Sequence, residues 1–321
     1  MGINIYKEKP VSGIKGKDLL GLSELSKDEI LDILALTESV KKRGTDLNYQ
    51  PLKGKTLGMI FEKNSTRTRV SFEVAIWQLG GYGLFLNKND LQLGRGETIE
   101  DTARVLSRYV DGIVIRAYFH EDVKKLAEYA DVPVINGLTD FEHPCQALAD
   151  LFTIYEKKKR LNGLKLAFIG DGNNNMATSL IFGCAKVGMD ITVASPKGYQ
   201  PKKEIVNIAL RDSILNNSKI IVTEDVKEAA EDADVIYTDV WTSMGQESEA
   251  EERKKAFYGY QVNEKLLKMA KKDVIVMHCL PAHRGEEITD EVIDGPYSVV
   301  FDQAENRLHV QKAILISIMG D

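Results

Sequence analysis

Lys55-Thr56-Leu57-Gly58-Met59-Ile60-Phe61 is a short apolar run, and the chain leaves it through Glu62 and Lys63 into Asn64-Ser65-Thr66-Arg67-Thr68-Arg69. The first stretch reads as a buried strand; turn chemistry at Asn64 and Ser65, followed by a helical pattern reaching Leu79, reads as that strand handing over to a helix. A helix N-terminus presents unpaired N–H groups and the positive end of the helix dipole, so phosphate binds there readily. Ser65, Thr66 and Thr68 add hydroxyl donors, and the planar guanidinium of Arg67 suits bidentate contact with phosphate. Taken singly, Ser65 is a plain helix cap and the arginines a solvated face. As a cluster they favour an anion cradle. The pattern GxxxxGK[ST] is missing from the chain, which argues against a nucleoside triphosphate.

Working outward, the same alternation recurs. Upstream, residues 25–43 place Leu25, Ile30, Ile33, Leu34 and Val40 near helical spacing, with Ser26 and Glu29 forming a capping box. Downstream come a helix over 98–109, a strand over 112–115, a helix over 122–129, a strand over 132–135 and a helix beginning near His143. A polar stretch at 156–161, EKKKRL, separates this half from a second apolar strand over 164–170. Further strands are expected at 191–194, 220–222, 235–238, 274–277 and 299–301, and a last helix over 305–319. The alternation predicts an α/β protein of two domains, each a parallel sheet flanked by helices, with the active site in the cleft between them. The expected boundaries are 1–152 and 153–304, with a C-terminal helix over 305–321 packing back on the first domain. The segment 244–260 reads as a long exposed loop or a partly helical excursion, and loops of that length tend to be functional.

Composition agrees. A chain of 321 residues suits two domains, and 43% hydrophobic with 28% charged residues is ordinary for a globular protein. The net charge of −6, from 48 acidic and 42 basic residues spread along the length, advertises no face for nucleic acid. Cys145, Cys184 and Cys279 are too few and scattered for a disulfide framework, pointing to a reducing cytoplasm. No run approaches a membrane helix, and the N-terminal residues lack the apolar core of a signal peptide. Gly2 is followed by Tyr6 where a myristoylation signal needs Ser or Thr, so no lipid is expected.

Further chemistry sits at strand ends. Pro144 at the first position of a helix leaves His143 at its N-terminal end, where an imidazole can donate to a polarised carbonyl. A lone histidine is more often structural, but Arg116 follows the strand over 112–115, and ligands of open α/β sheets bind beyond the carboxyl ends of strands. In the second half, Gly170-Asp171-Gly172 begins like a dinucleotide loop, yet Asn175 stands where the third glycine belongs and no acid ends the next strand. Asparagines at such a turn can instead hold a zwitterion. Asp239 with Ser243 and Met244, and His278 to Pro281, end two further strands; their plain readings are a turn cap and a small buried cysteine. No His/Cys cluster shows ligand spacing, so no metal and no cofactor is expected.

These residues resemble the aspartate/ornithine carbamoyltransferase family. Ser65-Thr66-Arg67-Thr68-Arg69 is similar to its carbamoyl phosphate motif and His143-Pro144-Cys145-Gln146 to its HPxQ motif, both shared across acceptors. Asp239-Val240-Trp241-Thr242-Ser243-Met244-Gly245 resembles the DxxxSMG motif and His278-Cys279-Leu280-Pro281 the HCLP motif of the ornithine branch; putrescine relatives share HCLP without SMG. Residues 301–307, FDQAENR, are similar to the family's FDEAENR. The resemblance implies a transferase of arginine metabolism converting carbamoyl phosphate and L-ornithine to L-citrulline and phosphate. It implies that Ser65, Thr66, Arg67 and Thr68 bind phosphate and that Arg116, His143 and Gln146, flanked by Pro144 and Cys145, surround the carbamoyl group. Gln92 would reach a neighbouring subunit's site in a homotrimer or a multiple of trimers. Asn175, Asp239, Ser243 and Met244 would contact ornithine, with Cys279, Leu280 and Arg307 closing the centre; Arg116, His143, Asp239, Cys279 and Arg307 form the expected catalytic set. Alignment on Met176 favours Asn175, with Asn174 the lesser candidate. Rival readings are a Rossmann oxidoreductase, an amino-acid-binding regulator on the same scaffold, and putrescine or an acylated ornithine as the acceptor.

Overall fold

The computed structural model describes residues 13–243 and 245–320. The segment weighed for a leader or lipid, and Met244, lie outside the described residues. The chain divides into two compact units, one comprising residues through Phe152 together with those from Glu305 onward, the other Thr153–Ala304.

The first unit contains helix α1 (Lys27–Arg43), strand β1 (Thr56–Phe61), α2 (Thr66–Gln78), β2 (Tyr82–Asn87), α3 (Ile99–Leu106), β3 (Gly112–Arg116), α4 (His120–Tyr129) and β4 (Val134–Leu138). Helix α5 (Pro144–Lys158) carries the chain across the division. The second unit continues with β5 (Lys165–Ile169), α6 (Asn175–Val187), β6 (Asp190–Ala194), α7 (Lys203–Leu215), β7 (Ile220–Thr223), α8 (Val226–Ala230), β8 (Val235–Thr238), α9 (Ala250–Ala256), α10 (Glu264–Leu267), β9 (Ile275–His278) and α11 (Asp290–Ile293). Helix α12 (Val300–Met319) returns to the first unit.

Both sheets are wholly parallel, in the orders β2-β1-β3-β4 and β7-β6-β5-β8-β9. The central strands are buried on both faces, β3 from end to end and β1 from Leu57 onward, which is why they read as apolar runs. In each sheet the chain winds outward in one direction and then in the other, so loops leaving adjacent strands diverge. That switch point lies between β1 and β3 in the first sheet and between β5 and β8 in the second.

Two sequence readings fail. Residues 82–87 form a strand that the sequence reading missed: its apolar run is only Leu84-Phe85-Leu86, preceded by the strand-weakening Gly83, and no residue of it is fully buried. Residues 299–301 were expected as a strand; instead Val299 donates to the Val276 carbonyl at 3.0 Å and Val300 and Phe301 open helix α12, Val300 buried and Phe301 68% exposed, the short β-branched run giving way to the longer helical pattern that follows. The excursion at 244–260 is partly helical, containing α9.

Candidate active site

The first constellation stands at the β1/β3 switch point. Ser65 caps α2, its hydroxyl accepting from the Thr68 N–H at 3.3 Å, and Thr66, Arg67 and Thr68 form the first turn. Glu62 leaves β1 with its N–H bonded to the Arg116 carbonyl at 2.9 Å, so the ends of the two strands are tied. A register shift between Ile115 and Arg116 re-aims the last side chain of β3, as strand irregularities beside functional sites do. From α12, the Arg307 guanidinium donates to the Thr68 hydroxyl at 2.7 Å. His143 precedes Pro144 at the head of α5 and is 4% exposed. Burial first, and then the charges of Arg307, Arg116 and Arg67, hold its imidazole well below the ordinary range. The result is a neutral imidazole set among three cations.

Gln146 is almost fully buried; its amide nitrogen donates to Asp150 at 2.8 Å, while its Oε1 has no hydrogen-bond partner among the described residues. Cys145 turns away, its Sγ 3.5 Å from the Asn136 carbonyl, and burial pushes the thiol up to about 12. Gln92 is not drawn in; it stands exposed on the short turn Gln92–Arg95. Lys63, which the sequence reading passed over, lies 4.3 Å above the Tyr118 ring, its ammonium pushed down by burial and by Arg116. No motif marks it.

The second constellation stands at the β5/β8 switch point. The G-x-G turn is required by packing rather than by a nucleotide: Gly170 has φ 143°, and a Cβ on Gly172 would meet Ser195 Oγ at 2.6 Å and Pro201 Cδ at 2.7 Å. Asn174 is the cap of α6, its Oδ1 accepting from Ala177 N–H at 2.8 Å and its Nδ2 donating to Asp239 Oδ2 at 3.2 Å. The asparagine that meets Asp239 is therefore the lesser sequence candidate, and Asn175 is the first residue of the helix behind it. Asp239 Oδ1 accepts from the Cys279 thiol at 3.1 Å and from Val240 N–H at 2.8 Å, and burial raises its carboxyl above the usual range.

After β9, His278 Nδ1 accepts from Leu280 N–H at 2.8 Å and Nε2 lies 3.0 Å from Glu287 Oε1, so both ring nitrogens are engaged. Leu280 has φ 57° and precedes a cis peptide to Pro281. A non-glycine residue held in the left-handed region is uncommon and clusters at functional sites. Gln303 is held from both ends: its Oε1 accepts from His278 N–H at 3.0 Å and its Nε2 donates to the Tyr237 hydroxyl at 3.2 Å. Ser243 and Gln246 close a turn on each other, and the loop beyond is anchored by a buried Arg253–Asp171 pair at 2.7 Å. Sequence gave no sign of that pair, whose members are 82 positions apart.

Among the described residues, ligand atoms of Asp239, His278 and Cys279 lie within 4.8 Å of one another, as do those of His283, Glu286 and Glu287. Folding brings Asp239 to the adjacent pair His278 and Cys279, whereas the second group is local in sequence. Because both His278 nitrogens are engaged, Asp239 and Cys279 are the readier ligands of the first group.

Comparison with known proteins adds to this geometry. Residues 17–156 match the family described as aspartate/ornithine carbamoyltransferase, carbamoyl-P binding domain, and residues 162–318 match aspartate/ornithine carbamoyltransferase, Asp/Orn binding domain. The chain is 59% identical over 311 residues to the ornithine carbamoyltransferase of Oceanobacillus iheyensis, covering 96% of each. It is 60% identical over 307 residues to that of Anoxybacillus flavithermus, covering 95% of this chain and 98% of the relative. Among solved structures, ornithine carbamoyltransferase from Pyrococcus furiosus superposes with a TM-score of 0.91 at 57% identity, covering 95% of this chain and 97% of the other.

Proposed function

The chain belongs to the aspartate/ornithine carbamoyltransferase family, and from that premise we propose that it transfers the carbamoyl group of carbamoyl phosphate to the side-chain amine of L-ornithine, giving L-citrulline and phosphate. The observation that carries the reading is the neutral His143 imidazole set among Arg67, Arg116 and Arg307 beside the capped N-terminus of α2. Cations and helix amides suit the phosphate; a neutral N–H donor suits the carbamoyl oxygen without adding a proton to be lost.

Ser65, Thr66, Arg67 and Thr68 hold the phosphate. Arg116, His143 and Thr68 donate to the carbamoyl oxygen as charge develops on it, and the open Gln146 oxygen accepts from the carbamoyl NH2. Pro144 fixes the start of α5 and Cys145 packs beneath it. In the other unit, Asp239 and Asn174 take the α-amino group of ornithine, with Asn175, Ser243 and Met244 completing the acceptor set; Cys279, Leu280 and Arg307 close on the reacting atoms. The attacking amine must be neutral, and a primary alkylamine has a pKa of about 10, so turnover rises toward alkaline pH. The nitrogen bonds to the carbamoyl carbon, the carbon–oxygen bond to phosphate breaks, and the amine's proton passes to the departing phosphate; no covalent enzyme intermediate is needed. The loop around Ser243 closes over bound ornithine and excludes water from a donor prone to hydrolysis. Neither reactant calls for a cofactor or metal.

We extend the reading to a homotrimer or a multiple of trimers in the cytoplasm, without nucleic-acid or membrane partners. Gln92 stands exposed, as a residue reaching into another subunit would, and Trp77 of α2 and Tyr82 of β2 are 61% and 63% exposed, an apolar surface suited to a subunit contact. The three cysteines are unbridged, and no described helix is long and apolar enough to cross a membrane.

The test is citrulline formation with ornithine, putrescine, acetylornithine and aspartate competing as acceptors. Ornithine should dominate. Turnover only with another amine would retain the donor site and overturn the acceptor assignment at Asp239 and Asn174.

A further inference from the structure

We propose that Glu142 is a positioning residue for His143: its buried side chain staples the turn between β4 and α5 to the distant segment Gly21–Ser23 and thereby fixes the imidazole that faces the carbamoyl group. The inference rests on the functional reading above and adds to it a residue that no motif marks.

The turn holds only five residues, 139–143, between Leu138 and Pro144. Its backbone is tied from within, since the Glu142 carbonyl accepts from Thr139 N–H at 3.0 Å and from the Thr139 hydroxyl at 3.3 Å. Its outer anchor is a segment more than a hundred residues earlier. Leu19 N–H bonds to the Val134 carbonyl at 2.9 Å, Asn136 N–H to the Leu19 carbonyl at 2.8 Å, and Asn136 Nδ2 to the Leu20 carbonyl at 2.8 Å, so residues 19 and 20 lie alongside β4. Glu142 then completes the join: Oε2 accepts from Leu22 N–H at 2.8 Å and Oε1 from the Ser23 hydroxyl at 3.2 Å. The fit admits nothing larger than glycine at position 21, because a Cβ there would collide with the Glu142 carboxylate.

Glu142 is fully buried, and burial pushes its carboxyl up to about 7 against the pull of its bonds to Leu22 and Ser23. Burying an acid costs stability that an apolar side chain of similar size would not. What the acid adds is direction: two carboxylate oxygens fixed on Leu22 and Ser23 of one segment. The next residue is His143, whose carbonyl already accepts from Gln146 N–H and Ala147 N–H at 3.1 Å. The imidazole therefore leaves a backbone held by the first turn of α5 on one side and by Glu142 on the other. A displacement of about 1 Å at a reacting centre costs roughly 100-fold in rate.

The experiment compares Glu142→Ala, Glu142→Gln and Gly21→Ala with the parent protein, measuring by calorimetry the affinities for inorganic phosphate and for carbamoyl phosphate, and by steady-state assay kcat and the ornithine KM. Phosphate reports the α2 cradle; the difference between the two anions reports the carbamoyl end. Glu142→Ala is expected to keep phosphate affinity and the ornithine KM while kcat and the carbamoyl phosphate preference fall about 10- to 100-fold. Gly21→Ala should follow it, and Glu142→Gln, which retains one acceptor, should recover much of the loss. A folded Glu142→Ala protein with unchanged kcat and anion preference overturns the proposal, as does an equal loss of both anions. Should Glu142→Ala fail to fold, Gly21→Ala and Glu142→Gln decide on the same readouts. A parent protein that binds phosphate but shows no preference for carbamoyl phosphate overturns the functional reading itself, and this one with it.

Discussion

His143 and Cys279 show how environment divides chemically similar residues between roles. A lowered imidazole keeps the folded state unprotonated where the unfolded chain would take up a proton, so His143 contributes stability above the ordinary imidazole value of about 6.5, and that contribution is lost as pH falls below it. A histidine-ring NMR titration should therefore find no His143 midpoint near neutrality; one near 6.5 would remove the neutral donor from the mechanism. Cys145 and Cys184 are buried and Cys279 is not, so iodoacetamide at pH 8 should label Cys279 first, and mass spectrometry of the modified protein checks this. Prior saturation with ornithine should slow the labelling. At this scale the sequence told which residue types cluster at strand ends, but it favoured Asn175 over Asn174 as the ligand. That choice depends on which of the two caps α6 and so points at Asp239.

Helix starts were the most legible elements. The capping box at Ser26 and Glu29 is present as both reciprocal bonds, and Ser65 caps α2, because a hydroxyl before a helical pattern has one dominant use. The two caps should nonetheless differ in consequence. Ser26→Ala is expected to cost about 1 kcal/mol of stability by denaturant unfolding with kcat unchanged, while Ser65→Ala costs a similar amount and also weakens phosphate binding. Equal loss of phosphate affinity in both would mean that α2 carries no anion site. Strands were legible where buried on both faces, as in β1 and β3, and not where half-exposed, as in β2. The segment 299–301 misled because Val299, Val300 and Phe301 favour a strand locally, whereas the place of Val300 and Phe301 at the head of a twenty-residue helix is set by the longer pattern.

The order of alternation gave two parallel sheets, while the pairings His278–Glu287, Arg253–Asp171 and Glu142–Leu22 stayed hidden, since each joins residues that only folding makes neighbours. Assembly belongs to this scale too: sedimentation should give three times 35.9 kDa or a multiple of that, and Trp77→Glu should shift the mass downward if α2 lies in the contact. A monomer with full activity would refute a role for Gln92 in another subunit's site. The central claim is that one switch point binds the donor and the other the acceptor. Carbamoyl phosphate affinity and ornithine KM should therefore be measured side by side in Arg67→Ala and Asp239→Asn. The account predicts that Arg67→Ala abolishes donor binding, and that Asp239→Asn leaves donor affinity intact while raising the ornithine KM by roughly 10- to 100-fold, the loss of charged hydrogen bonds. Loss of donor affinity in Asp239→Asn, or its survival in Arg67→Ala, would contradict that division.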